Sequence, residues 1–500
     1  MKRALKNLNN FIKKNAYLLL FLLPLIEVKR VIDNDTWFMI NHGRYILENG
    51  FTAIEPFTVH EGLAFSFEKW LSCIFFAKLY EFSGTAGMVA FLYVSAIVIE
   101  FLFYKIAYYI SENKKTSLLV TITVCSVFNV LFLRTRPQTF SFILLLLEFW
   151  FTEHYANEEK WHYLLPLPVI SIVYMQLHST MWPMFFIMLM PYLFDFIKLA
   201  EHTDICFMCY SSYPKLPLWI ATVVSALAGF INPYGYKSVI YLFKSTGVND
   251  LNLISELTTT TVIQFMFQCA FVIIPIVVYI AKLIKAREFE KDLYRIPLRY
   301  IFFIGGTFLL GIYAIRNMAY FLLYAGIIGA FLTKGLELDF SKKQQKFIGV
   351  LGLLVLTASI IIPMSTPVNA YEDTYAYEEL NQLAKRVGNY DDCQKVKLYT
   401  SFNTGAYAEY LGFKAYIDPR AEVFLEKVNN KEDIIVEFMN VYYGGKPYKE
   451  IQDKYQFDYW LVETNSAINT YMKNDSNYFC VNKTDEYATY KFKGDQHEWR

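Results

Sequence analysis

Charged residues make up only 19% of this 500-residue chain, below the quarter or so found in soluble domains. That shortage, set against 55% hydrophobic and 18% aromatic residues, excludes an ordinary soluble protein and indicates a membrane protein. The net charge of +1 gives no reason to expect nucleic acid as a partner, so the placement of each Lys and Arg matters more than the sum. Cysteine is sparse and scattered: Cys206 and Cys209 are a lone close pair with no second pair to complete a zinc site. Cys393 and Cys480 could pair only if the tail is extracytoplasmic. Also missing are a phosphate-cradling glycine loop, a dinucleotide fingerprint, an H-E-x-x-H helix and a nucleophile elbow. Their absence argues against an enzyme of soluble nucleotides.

What is present is a series of apolar runs. Lys2, Arg3, Lys6, Lys13 and Lys14 precede the run 16–26 in the manner of a signal sequence, but no small-residue cleavage site follows. An uncleaved first helix with a cytoplasmic N-terminus is expected. Further runs at 84–110, 117–133, 139–151, 163–177, 182–197, 216–231, 265–284, 300–315, 318–332 and 347–364 bring the expected total to about eleven transmembrane helices, several of them short. An odd number places the first loop and the tail on one side. Lys114, Lys115, Lys160, Lys198, Lys215, the group from Lys282 to Arg299, and Lys334 to Lys346 then all fall on alternate inner loops, as the positive-inside rule requires. The expected fold is a polytopic all-α membrane domain over residues 1–364, with outer loops at 33–70 and 232–263, and a soluble extracytoplasmic α/β or α+β domain over 365–500. Strand-like runs at 395–400, 414–417 and 459–462 alternate there with helical patterns at 377–387 and 433–443. No internal repeat or low-complexity linker separates the two.

The first outer loop carries the first acidic cluster, Asp33-Asn34-Asp35-Thr36-Trp37. Asp35, before the amphipathic run 37–47 that ends at Gly50, is placed to cap a helix; Asp33 lies ahead of that cap and is the stronger candidate for chemistry. Later in the loop His60 is a polar candidate, whereas Glu68 reads as a solvated or capping residue and Trp70 as an interfacial anchor. Arg134 and Arg136, followed at once by Pro137, and Arg316 sit at tight outer turns; they either snorkel to headgroups or pair with phosphate, for which a guanidinium fork is suited. His178 ends a span on the same face, and Asn232-Pro233-Tyr234-Gly235 opens the second long outer loop. Lys105 and Glu148 are the few ionisable residues within spans, each close to a cytoplasmic end, which disfavours a transporter.

Taken in order, Asp33-Asn34-Asp35-Thr36-Trp37, Gly43-Arg44-Tyr45-Ile46, Glu55-Pro56-Phe57-Thr58, Trp70-Leu71, Arg136-Pro137, Gln176-Leu177-His178, Asn232-Pro233-Tyr234-Gly235, Arg316-Asn317 and Ile417-Asp418-Pro419-Arg420 make a set that resembles the multi-span GT-C glycosyltransferases. The likeness is to a bacterial branch similar to protein O-mannosyltransferases and lipopolysaccharide-core sugar transferases. The resemblance implies a polyprenyl-phosphate-linked sugar donor drawn from membrane lipid, a glycan, lipid or protein acceptor of the cell envelope, and an acidic residue of the first outer loop, here Asp33 or Asp35, as base of an inverting transfer. Arg44, His60, Arg134, Arg136, His178, Asn232, Tyr234 and Arg316 are the expected substrate contacts. Some members of the superfamily use a divalent metal at the acidic motif. An all-oxygen site at Asp33 and Asp35 would suit Mg²⁺ or Mn²⁺, but the sequence offers no convincing further ligand, which favours a metal-independent reaction. The competing reading is a non-catalytic scaffold or transporter for envelope polysaccharide, in which the Asp pair is only a helix cap.

Overall fold

A computed structural model of the chain describes residues 19–195, 208–209, 213–245, 258–285, 296–334 and 374–493, with scattered positions between 350 and 361. The main helices are α1 (Asn34–Asn49), α2 (Trp70–Ser111), α3 (Lys114–Phe132), α4 (Gln138–Glu158), α5 (Pro166–His178), α6 (Trp182–Leu193), α7 (Lys215–Ala228), α8 (Tyr236–Ser245), α9 (Val262–Lys285), α10 (Leu298–Tyr313), α11 (Met318–Leu332), α12 (Thr374–Val387), α13 (Phe402–Tyr410), α14 (Ile434–Tyr442) and α15 (Tyr448–Tyr455). Five strands follow the same order: β1 (Lys397–Tyr399), β2 (Lys414–Ala415), β3 (Tyr459–Glu463), β4 (Tyr478–Lys483) and β5 (Tyr487–Phe492). The chain divides into two compact units, one of residues 1–30, 89–231 and 252–368, the other of 31–88, 232–251 and 369–500.

The first unit is an apolar helical bundle. Among the described residues five stretches of the whole chain are long and apolar enough to cross a membrane: Trp70–Ser111, Lys114–Phe132, Trp161–Leu193, Val262–Ile280 and Ile315–Leu332, with Lys215–Ala228 and Leu298–Tyr313 shorter. Most of the expected run at 347–364 lies outside the described residues, whereas the run at 16–26 is described from residue 19 and forms two short helical pieces, Leu19–Leu22 and Pro24–Glu27. The run at 139–151 is seen as α4, which continues to Glu158. In the last of the five stretches 83% of the most apolar window is buried against 11% in Val262–Ile280, so α11 is the centre of this bundle and α9 its rim. A side chain at Gly326 would fall 2.7 Å from Val124 and 2.9 Å from Phe103; the missing Cβ is what lets α11 lie against α2 and α3.

The bundle also holds a buried ion-pair clamp. Arg299, at the start of α10, donates to Glu153 on α4 through Nη2 at 2.7 Å and Nε at 3.1 Å, and to Asp195 through Nη1 at 3.2 Å. Tyr192 and Tyr300 donate to the same Glu153 carboxylate. Arg299 is only 4% exposed, enclosed at the start of α10.

The second unit is built on a five-stranded sheet of order β2-β1-β3-β5-β4, parallel between β2, β1 and β3 and antiparallel from β3 through β5 to β4. Strands β1, β2 and β3 and helices α12 and α14 fall where the sequence patterns place them; the β4–β5 hairpin is an addition. Residues 53–65 of the first loop form a small hairpin, with Glu55 and Phe65 amides bonded to the Leu63 and Ala53 carbonyls, and its turn lies at Gly62, φ 70°. That hairpin extends the sheet beyond β2: Thr58 bridges Ala415 in parallel, and the Val59 amide donates to the Ala415 carbonyl at 2.9 Å. The tail therefore folds together with the first loop and α8. Cys393 and Cys480 are both free thiols, the first buried and the second exposed.

Candidate functional site

The acidic stretch begins α1, and its capping runs differently from the sequence expectation. Asp33, in extended conformation, is the N-cap; its Oδ1 accepts from the Asp35 amide at 3.1 Å. Asp35 is one of the first-turn residues, half-buried, where its charge suits the positive end of the helix dipole. The cap falls on Asp33 because the helix starts at Asn34, two residues earlier than a cap at Asp35 would set it, and Asp33 is 3% exposed. The capping role expected of Asp35 is thus taken by Asp33. The helix is held from behind by Trp37, fully buried among Tyr80, Tyr377, Tyr407 and Tyr410. The Tyr377 hydroxyl donates to Asn34 Oδ1 at 2.6 Å. A Cβ at Gly43 would meet the Cys73 carbonyl oxygen at 2.1 Å, so α1 crosses α2 in direct backbone contact. Arg44 spends its guanidinium on Tyr410, 4.6 Å above the ring, with Nη2 3.4 Å from the hydroxyl.

Behind α1 lies a buried hub centred on Arg420. Its Nη2 reaches Asp418 Oδ2 at 2.5 Å and Glu55 Oε1 and Glu409 Oε1 at 3.0 Å each; its Nε reaches Asp418 Oδ1 at 2.9 Å. Nη1 lies 3.1 Å from His42 Nε2, which accepts from it. The ring is accordingly neutral: burial first, then the charge of Arg420, holds His42 well below the usual imidazole range. One cation thus faces three carboxylates, and burial pushes Glu409 well above the carboxylate range despite the pull of Arg420. Glu55 also ties the hairpin, accepting from the Phe57 and Thr58 amides at 2.9 Å and the Thr58 hydroxyl at 2.7 Å. Three of the sequence pieces that carry the family resemblance, around Arg44, Glu55 and Asp418, and His42 beside them, meet at or next to this hub. Their service here is to brace α1.

His60 is also spoken for: its Nε2 is 2.8 Å from the Tyr416 carbonyl, and its ring packs on Tyr416, Phe424 and Tyr455. Burial lowers it to about 4, opposed by that hydrogen bond. Its contacts are those of a packing residue. Asn232 and Tyr234 are likewise engaged: Asn232 Oδ1 accepts from the Tyr234 amide at 2.9 Å, and the Tyr234 hydroxyl donates to the Thr52 carbonyl at 2.8 Å while accepting from the Phe67 amide at 3.3 Å. They hold the first loop.

Glu68 departs furthest from expectation. It is neither solvated nor a cap: it is 6% exposed, and neither carboxylate oxygen has a hydrogen-bond partner among the described residues. Burial, then the charge of Glu422, raises it to about 8 against the opposing Lys69. The sequence signal was misleading because apolar Leu63, Phe65 and Phe67 alternate with Ser66 and Glu68, which assigns the latter to solvent. Here both faces are covered, and Ser66 is as buried as Glu68.

The remaining expected contacts belong to the first unit. Arg134 and Arg136 form a tight turn ahead of α4, the Arg136 amide bonded to the Arg134 carbonyl at 2.8 Å and Thr139 Oγ1 to the same carbonyl at 2.7 Å. Arg316 is in the single turn Ile315–Asn317 between α10 and α11. All three guanidinium residues are half-buried. His178, at the end of α5, is buried with Nδ1 2.7 Å from Ser141 Oγ. Among the described residues no group of three or more His, Cys, Asp or Glu is arranged to hold a metal ion. With Asp33 engaged as a cap, the residues present do not make an Mg²⁺ or Mn²⁺ site at the acidic stretch.

No protein-family model and no curated protein sequence matches the chain. Among solved structures, the chain is similar to the Archaeoglobus fulgidus oligosaccharyltransferase in its apo form, with a TM-score of 0.56 and 10% identity over 90% of this chain and 69% of that one. The same enzyme in complex with Zn and sulfate gives 0.53 and 11%, over 89% and 67%. The mycobacterial arabinofuranosyltransferase AftD gives 0.47 and 11%, over 99% of this chain and 40% of that one. At these identities the likeness is one of fold.

Proposed function

We propose that the chain is an integral-membrane glycosyltransferase that moves a sugar from a polyprenyl-phosphate-linked donor to a glycan, lipid or protein acceptor of a bacterial cell envelope, working at the outer face of the membrane. The observation that carries this reading is the acidic start of α1, with Asp33 as cap and Asp35 in the first turn, set in a GT-C fold. Fold alone does not fix an activity; the carboxylate supplies the chemical part. In an inverting transfer a carboxylate takes the proton of the acceptor hydroxyl. The acceptor oxygen then bonds to the anomeric carbon while the bond from that carbon to the phosphate oxygen breaks, and the lipid phosphate leaves with the electron pair. Asp35 is the base in this reading, since Asp33 is occupied in holding the Asp35 amide. Arg134, Arg136 and Arg316 are the candidates to stabilise the leaving phosphate. About eleven spans, a cytoplasmic N-terminus and an extracytoplasmic second unit go with this assignment.

The test is transfer from polyprenyl-phosphate sugars in membranes bearing the parent, Asp33→Asn or Asp35→Asn. Asp35→Asn is expected to lose about 10²- to 10⁴-fold in rate with its folding unchanged. Asp33→Asn, which keeps a capping oxygen, should retain more activity. Undiminished transfer by Asp35→Asn would remove the proposed base.

A further inference from the structure

Where the first-loop hairpin joins β1 and β2, the second unit holds an open cleft of about 410 Å³ that the chemistry above does not use. Three lysines line it: Lys395 just ahead of β1, Lys397 at its first position and Lys414 at the first position of β2. Lys397 and Lys414 are direct partners in the parallel register, so their side chains leave the same face of the sheet from strands about 5 Å apart. A fourth ammonium, Lys431 Nζ, lies at the hairpin turn: it donates to the Glu61 carbonyl, and a Cβ at Gly62 would fall 3.1 Å from it.

These like charges are gathered with little to offset them. Half-buried Lys414 donates to the Pro56 carbonyl, and exposed Lys397 donates to the Tyr455 carbonyl at 3.2 Å; neither has a carboxylate in ion-pair range among the described residues. Asp458 spends an oxygen on the Lys397 amide at 2.8 Å, and Lys395 makes an exposed contact with Asp392 at 3.4 Å. Of the carboxylates in the lining, Glu55 is buried and bound to Arg420, which leaves exposed Glu61. Each ammonium has donors to spare after one carbonyl, and an anion relieves the repulsion among them. Lysine is a point charge with rotatable donors and suits the several oxygens and higher charge of a phosphate, whereas a carboxylate is better matched by an arginine fork. The volume falls within the range of small-ligand pockets. Pro56 and Val59 are the apolar part of the lining, too little to hold an acyl or polyprenyl chain, so the phosphate comes on a polar carrier.

We propose that Lys395, Lys397 and Lys414 form a binding site for a phosphate group on a polar carrier, and that the carrier is the acceptor. The role as acceptor rests on the glycosyl-transfer reading; the binding does not, and it is measured with no sugar donor present. The full-length chain in detergent micelles, in a buffer free of phosphate, is titrated by calorimetry with glycerol 3-phosphate, with succinate as a carboxylate of similar size, and with dioctanoyl phosphatidylglycerol, which carries phosphate on a lipid. Glycerol 3-phosphate should bind the parent saturably and more tightly than either of the others. Lys397→Gln and Lys414→Gln should each weaken it about tenfold, and Lys414→Arg, which keeps the charge, should restore most of the binding. Lys473→Gln, which removes a positive charge outside the lining, should leave affinity as in the parent. Lys397 is exposed, so its variant tests the site even if Lys414→Gln fails to fold. No binding of glycerol 3-phosphate, equal affinity in Lys397→Gln, equal affinity for succinate, or tighter binding of the lipid overturns the site. Phosphate binding without any glycosyl transfer upholds the site and counts against the proposed reaction instead.

Discussion

Arg420 shows how a sequence motif can be conspicuous for structural reasons. Its guanidinium is 3% exposed and binds Asp418, Glu55 and Glu409 together; taking it away would leave buried carboxylates without a counter-charge. Arg420→Met is therefore expected to cost about 3–5 kcal/mol of stability in the second unit, measured by limited proteolysis or thermal unfolding. Glu409→Gln should cost less, because the amide keeps an oxygen for Arg420 Nη2 and the Glu409 Oε2 has no hydrogen-bond partner among the described residues. Two further groups set opposite pH arms. His60 titrates near 4 when folded against about 6.5 when unfolded, so its contribution is full above pH 6.5 and is lost as pH falls toward 4. Glu68 titrates near 8 against a usual 4.5, so its contribution is full below 4.5 and declines as pH rises toward 8. In Glu68→Gln the loss of unfolding temperature between pH 6.5 and 8 should be smaller than in the parent; identical slopes would show that the carboxyl is not held protonated. At this scale the sequence was legible where a residue acts through its neighbours in the chain, as in the acidic start of α1. It was not legible for Glu55, His42 or Glu68, whose partners are supplied by distant segments.

Single elements are fixed by a few long-range contacts. Helices α4 and α10 and the residue Asp195 beyond α6 are tied by the Arg299 clamp, whose partners lie 146 and 104 positions away in sequence. Positional bias alone assigned Arg299 to an inner loop, and only packing reveals that it is enclosed. Arg299→Gln leaves Glu153 and Asp195 buried without a cation and is expected to destabilise the first unit by about 3–5 kcal/mol, read as a lower unfolding temperature in detergent. The unchanged unfolding temperature of such a variant would mean that the clamp is dispensable. Helix periodicity recovered α12 and α14, and β-branched and aromatic runs recovered β1 and β3. The β4–β5 hairpin escaped because its exposed Phe479 and Cys480 break the alternation.

For the whole molecule, composition and hydropathy gave the membrane character, which the long apolar helices match; the orientation is an expectation from the alternation of basic loops. They did not reveal that the first loop, α8 and the tail fold as one unit, since pairing of Thr58 with Ala415 leaves no local pattern. The orientation is open to a direct check at Cys480, an exposed thiol of the second unit. A membrane-impermeant maleimide added to intact cells should label the parent and not Cys480→Ser; labelling only after lysis would place this unit inside. The central claim is tested most directly by offering the purified chain, in lipid nanodiscs, a radiolabelled sugar on polyprenyl phosphate or on a nucleoside diphosphate, together with an extract of envelope acceptors. The account predicts label transfer from the polyprenyl-phosphate donor alone, abolished in Asp35→Asn. Transfer from the nucleotide sugar alone, or from the lipid donor at the same rate in Asp35→Asn, would contradict it.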